Sequence, residues 1–366
     1  MFSIPNICFL NDITGLPKEI LKELCTDLNL PVEGSVNDLA VGIWQRIKDD
    51  QDLKRTTLDK CKDKLLCGKI SVTWFIPNKK IEGCKEFIIE NSGFNPFENI
   101  RIPKIQDLTS TPVLICGAEG NEKGEYYLRF MYKSGISRNF YGFDMDLLPK
   151  SSISTVYINE REGIVEVRAD TRKGREIVAQ LEELMSPLLN SSRVSFEQAD
   201  IIAPFSYDAD KIADALNGDL LDIKAKPELL FEDINEEEAQ AIVNILTALD
   251  SYFREEDVNK LTEELRQTRE VFGDDLLSTP FTALILAGLD RVGMGGSGRG
   301  LRGKPLYDFF KPFLQHQGGF IRFPINEGGV EQSYTIRVGF ATKSVFFVKP
   351  ATEHVIKYVR QHVIIN

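Results

Sequence analysis

The run STVYINEREGIVEVRAD, residues 154–170, decides the fold. Its Val, Ile and Tyr residues favour extended backbone, and residues 160–163 in its middle read as a turn, so the run predicts a β-hairpin. Outward from it, KISVTWFI (69–76), TPVLICGAE (111–119), EYYLRFMYK (125–133) and RNFYGFDMDLL (138–148) share this character, and Gly, Pro, Asn and Asp clusters separate them. Each is expected to be a strand. Downstream, Ile177, Val178, Leu181, Leu184 and Met185 fall on one face of a helix over 172–185. An antiparallel sheet with a helix packed against it is an α+β unit.

The chain has 366 residues, 44 Lys+Arg against 55 Asp+Glu, and 42% hydrophobic residues, a composition of ordinary globular proteins with room for more than one core. No stretch reaches the roughly 18–20 consecutive apolar residues of a membrane span. The start, MFSIPNICFLNDITG, has neither a basic region nor a small-residue cleavage site and is not read as a signal peptide, so the expected location is cytoplasmic. Cys8, Cys25, Cys61, Cys67, Cys84 and Cys116 contain no Cys-x-x-Cys pair, and His316, His354 and His362 lie far from them. The cysteines are therefore expected as buried small hydrophobes rather than zinc ligands, and no cofactor motif is read.

Residues 16–48, LPKEILKELCTDLNLPVEGSVNDLAVGIWQRIK, predict two short amphipathic helices. Leu16, Ile20, Leu21, Leu24 and Leu28 keep helical spacing, Pro31 and Gly34 interrupt it, and Leu39, Ile43 and Ile47 resume it. The charged segment 48–66 is either a linker or a third helix on this pair. Leu21, Leu24, Leu28, Leu30-Pro31, Gly34, Asp38-Leu39 and Ile43 resemble the SAP motif, a helix, extended loop, helix module usually associated with DNA. The resemblance covers residues 14–48 only. It implies DNA contact, for which Lys18 and Lys22 are the candidate residues. SAP modules commonly carry basic residues where this chain has Val36 and Gly42, and residues 12–48 hold six acids against four bases, so a role in protein contact or packing is the alternative.

Residues 197–290 are expected to be mainly helical, with 236–272 the strongest segment: Asn235 and three following glutamates suit a helix N-terminus, and Ile242, Ile245, Leu246 and Leu249 form the apolar stripe. A second, apolar helix is expected over 279–293. The end of the chain predicts a Gly-rich loop (291–304), a short helix (305–314), strands at 320–325, 331–340 and 344–350, and a closing helix at 352–364. The expected organisation is thus multidomain: a SAP-like helical module (1–66), an α+β sheet domain (67–190), an acidic helical region (191–290) and a basic segment (291–366).

Charge is segregated along this order. Residues 291–366 carry eleven bases and four acids, a net of +7, which leaves −18 on the first 290 residues. Residues 197–290 alone hold twenty-three acids and seven bases, a net of −16. The basic end is where anion binding is expected, with Arg299, Arg302, Lys304, Arg322 and Arg337 as candidate phosphate contacts.

Other constellations are weaker. Gly298 to Lys304 has the spacing of a phosphate-binding P-loop, but Pro305 stands where Ser or Thr would ligate magnesium, and no strand precedes the glycines. Asp222-x-Lys224, with Asp208, Asp210 or Asp219, has the residue types of a magnesium-dependent nuclease. No Gly-x-Ser-x-Gly is present. Trp44 and Trp74 are expected as core anchors, and the Phe-rich C-terminal strands as core rather than as a stacking platform for bases. The leading expectation is a non-enzymatic nucleic-acid-associated protein or complex subunit with a protein partner. The alternatives are a protein-binding subunit that uses acidic helices and exposed hairpin edges, and a nuclease.

Overall fold

A computed structural model describes residues 1–142, 144–185, 193–227 and 314–364, together with the separate helical positions 244, 247, 248, 262, 263, 266 and 267. For 222–227 and 314–317 the backbone alone is described. The chain divides into two compact units, Met1–Ile201 with Thr342–Asn366, and Ile202–Ala341. Both combine helices with antiparallel sheet, so the α+β class holds.

In the first unit, the strands are β1 (Ser71–Pro77), β2 (Val113–Glu119), β3 (Glu125–Tyr141), β4 (Asp144–Asn159), β5 (Ile164–Arg168) and β6 (Phe196–Gln198). A further strand, Ser344–Phe347, returns from the end of the chain to pair with β1. The order is β2-β3-β4-β5-β1 followed by that returning strand, β6 also pairs with β1, and every pairing is antiparallel. The hairpin expected at 154–170 is β4–β5, with Gly163 at φ 61° in its turn.

Alternation along the strands divides the side chains between two helical layers. Phe75, Leu128, Phe130, Val156, Ile158, Val165 and Val167 face α6 (Cys84–Ser92) and α7 (Thr171–Met185), where Ile88, Ile177, Val178 and Leu181 complete a buried cluster. On the other face, Cys116, Ala118, Tyr127 and Tyr157 join the cluster of α1 (Leu10–Thr14), α2 (Lys18–Asp27), α3 (Val36–Ile47), α4 (Gln51–Leu58) and α5 (Lys62–Leu65). The charged segment 48–66 is therefore helical and packed rather than a linker: Leu58, Cys61, Leu65 and Leu66 are buried in this core. Trp74 is fully buried, as expected of an anchor, while Trp44 is half-buried against the same cluster. Five cysteines are buried, Cys67 is half-buried, and all six are free thiols.

Two local expectations change. RNFYGFDMDLL is not one strand: Gly142, at φ 61°, lets the chain reverse, and Phe140 and Tyr141 pair with Met145 and Asp144. The run is the tip of a long hairpin whose strands, 17 and 16 residues, extend well past the rest of the sheet. Residues 219–227, expected within a mainly helical region, form a strand, because they find a partner strand that satisfies their backbone groups.

The second unit contains α8 (Ala209–Ala215) and a three-stranded antiparallel meander, β7 (Asp219–Pro227), β8 (Leu314–Glu327) and β9 (Val330–Gly339). Ile212, Ala213 and Leu216 on α8 are buried, as are Leu220, Ile321, Phe323, Ile336 and Val338 on the strands. The strand expected at 344–350 is β10 (Ser344–Phe347), and the closing helix is α9 (Glu353–Val363), capped by Thr352, whose side chain accepts from Val355 N at 3.3 Å. The expected helix over 279–293, the Gly-rich loop 291–304 and the helix at 305–314, except Leu314, which starts β8 instead, lie outside the described residues, as does most of 236–272. Among the described residues, no helix is long and apolar enough to cross a membrane.

Candidate functional site

Of the expected phosphate contacts, Arg299, Arg302 and Lys304 lie outside the described residues. Lys18 and Lys22 are one turn apart on α2, and Lys22 is 3.6 Å from Glu19, an exposed pair that offsets part of its charge. Arg322 and Arg337 do come together. Arg322 opposes Thr335 and Arg337 opposes Phe320, which places both arginines on one face of the β8–β9 ribbon at diagonal positions. That face also carries Asp219, whose carboxylate accepts from Arg322 at 3.2 Å. The unit thus presents a mixed face of Arg and Asp rather than a purely basic patch.

The nuclease candidates have structural occupations. Asp208 caps α8, accepting from Asp210 N at 2.8 Å. Asp210 is buried, Asp219 holds Arg322, and Asp222 and Lys224 occupy β7 positions opposite Phe320 and Gly318. Among the described residues, no three His, Cys, Asp or Glu side chains are grouped as a metal site would require.

The spacing from Gly34 to Asp38 has a local cause. Gly34 adopts φ 128°, Ser35 caps α3, and the Asp38 carboxylate accepts from Ser35 N at 2.9 Å and Ser35 Oγ at 2.7 Å. This capping box fixes the loop and, through the Ser35 hydrogen bonds, holds the Asp38 carboxyl below its ordinary value.

Charged residues that no sequence pattern singled out lie buried on the sheet face beneath the N-terminal helices. Glu166 Oε2 accepts from Trp74 Nε1 at 2.9 Å and from Arg360 Nη1 at 3.1 Å, and Glu166 Oε1 accepts from Arg168 Nε at 2.8 Å. Arg168 also donates to Glu353 at 2.5 and 2.7 Å and to Leu66 O at 2.9 Å. Burial alone would raise the Glu166 carboxyl, but the two guanidinium groups and their hydrogen bonds hold it below the ordinary value. Every carboxylate oxygen in this network is engaged, so the cluster ties α9 to β5 rather than presenting a reactive group. Within the N-terminal helical core, Lys54 is 1% exposed, donates to Asn6 O at 2.8 Å, and lies 5.2 Å from the Trp44 ring and 5.8 Å from that of Phe9. Its desolvation lowers its pKa.

The extended end of β3–β4 is the surface that stands out. Past a bulge at Lys133/Gly135, the pairs Ile136–Pro149, Arg138–Leu147 and Phe140–Met145 share one face, and Ser137–Leu148, Asn139–Asp146 and Tyr141–Asp144 share the other. The first face is apolar apart from Arg138, yet Ile136 is 51% exposed, Phe140 72%, Met145 50% and Leu147 53%. These large apolar side chains form a contiguous exposed patch rather than the single scattered apolar residues common on protein surfaces. The sequence signal was available in RNFYGFDMDLL, but reading it as one strand hid the reversal that doubles the apolar face.

No family profile, curated protein or solved structure matches the chain.

Proposed function

We propose that the protein is a subunit of a protein assembly and engages its partner through the β3–β4 arm. The observation that carries this reading is the apolar face of Ile136, Phe140, Met145, Leu147 and Pro149, on a ribbon that no other element of the described chain covers. A two-stranded ribbon in water is marginal by itself, so a partner would stabilise it as well as be held by it. Covering four large side chains already half or more exposed is worth several kcal/mol at about 25 cal/mol per Å². Purification of the full chain from cells that express it tests this. The wild type is expected to carry a stoichiometric protein partner, and the Phe140→Ser/Leu147→Ser variant to lose it. A wild type that elutes alone at micromolar concentration overturns the reading.

A second reading, association with nucleic acid, rests on Arg322 and Arg337 sharing one face of the second unit. Their joint replacement by Glu is then expected to weaken binding to single- or double-stranded DNA or RNA and to reduce its salt dependence. Absence of salt-sensitive binding by the wild type removes that reading.

A further inference from the structure

The arm continues a sheet face that this chain already covers in its own body, and the cover there indicates the missing partner. Alternation along β4 is unbroken, so Thr155, Ile153, Ser151, Pro149, Leu147 and Met145 lie on one face. Arg129 opposes Thr155 and Arg138 opposes Leu147, so both arginines share that face. Nine positions separate them, an odd number that would place them on opposite faces. The bulge at Lys133/Gly135 adds the residue that restores the match.

At Arg129 the face is covered by α1. The Asp12 carboxylate of that helix accepts two hydrogen bonds from the guanidinium, both at 2.8 Å, the neighbouring Phe9 ring lies 5.7 Å from it, and Ile13 is fully buried in the same layer. Arg129 also donates to its cross-strand neighbour Thr155 at 2.8 Å; Arg138 instead shares its face with Ile136, Phe140 and Leu147, and there no described residue covers the face and the arginine is exposed. The edge of the ribbon formed by β4 is unsuited to adding a strand, because Pro149 lacks an N–H and Asp144, Asp146 and Lys150 line it. The apolar surface is the face.

We infer that the arm's apolar face receives an amphipathic helix of a partner protein, with a carboxylate in the helix's apolar stripe pairing with Arg138 as Asp12 pairs with Arg129. The seven paired positions from Gly135 to Tyr141 span about 20 Å, which a helix of about 14 residues matches at 1.5 Å per residue. This inference rests on the proposed role of the arm in protein binding and adds the chemistry of what binds there.

The test places the photoreactive p-benzoylphenylalanine at Phe140 of the full chain, irradiates the cells that express it, and sequences the cross-linked peptide. The expected adduct is a helical segment of another protein with Asp or Glu flanked by apolar residues at helical spacing. A synthetic peptide of that segment is expected to bind the wild type and to bind Arg138→Glu about thirtyfold or more weakly. Arg138→Lys should retain part of the affinity, and a peptide with Lys in place of its acid should recover binding to Arg138→Glu. An adduct to a second copy of this chain, a segment without an acid, or binding indifferent to Arg138→Glu overturns the inference and leaves the arm's protein-binding role standing. Irradiation that yields no protein adduct overturns that role as well.

Discussion

Glu166 and Arg360, 194 positions apart in the chain, meet at 3.1 Å in the interior of the first unit. The contact fastens the closing helix to β5, and Arg168 and Glu353 form a second link between the same two elements at 2.5 and 2.7 Å. Glu166 is the shared carboxylate: Arg168 and Arg360 both depend on it, and each is nearly fully buried.

Replacing Glu166 by Gln should therefore cost about 3 kcal/mol in chemical denaturation, because it removes the carboxylate that two buried guanidinium groups share and leaves Arg168 with Glu353 and Arg360 with Glu162 alone. Its pH dependence has a defined sign. The folded carboxyl titrates below its unfolded value of about 4.3, so its contribution is present above that value and is lost as pH falls through the folded pKa. Glu166→Gln should show a shallower loss of stability in that acid range than the wild type.

Lys54 titrates in the opposite sense to a paired lysine. Desolvation lowers its folded pKa, so protonation favours the unfolded chain, and stability from this group rises as pH climbs from the folded value toward about 10.4. Against Lys54→Met, which removes the charge at similar volume, the wild type is expected to gain stability over that alkaline interval. Paired urea titrations at successive pH values measure the difference.

On the arm, Phe140→Ser/Leu147→Ser should change stability by less than about 0.5 kcal/mol per site, since both side chains are more than half exposed. The same change should abolish partner association. Unfolding midpoints and hydrodynamic mass, measured on one preparation, separate the two effects.

Gly218 joins α8 to β7 where there is no space for a side chain. A Cβ there would lie 2.5 Å from the Arg322 carbonyl oxygen and 2.9 Å from Phe323 Cβ. Gly218→Ala is expected to destabilise the second unit by about 1–3 kcal/mol, measurable as a lowered denaturation midpoint.

Much of the element list was legible from local pattern. The hairpin at residues 154–170, the helix after it and the helix pair at 16–48 follow from apolar spacing and turn residues, because those signals act over a few positions. Ser35 and Asp38 likewise carry their capping roles in adjacent sequence. The charge division along the chain was legible too, but along the chain is not across the surface: Asp219 reaches Arg322 through strand pairing, over 103 positions.

The sequence by itself determined most of the strands and helices of the first unit, since period and backbone preference are local properties, whereas at residues 138–148 and 219–227 strand pairing decided. Only the tertiary structure decided which faces are covered. In IVEVR, Glu166 and Arg168 alternate with valines as solvent-facing residues would, yet α9 arrives from nearly 200 positions away with Arg360 and Glu353 and buries them. Arg129 and Arg138 stand on one face of one strand; one is covered by α1 and the other is exposed. That difference is a matter of where a helical layer ends, which depends on contacts distant in sequence and leaves no local trace.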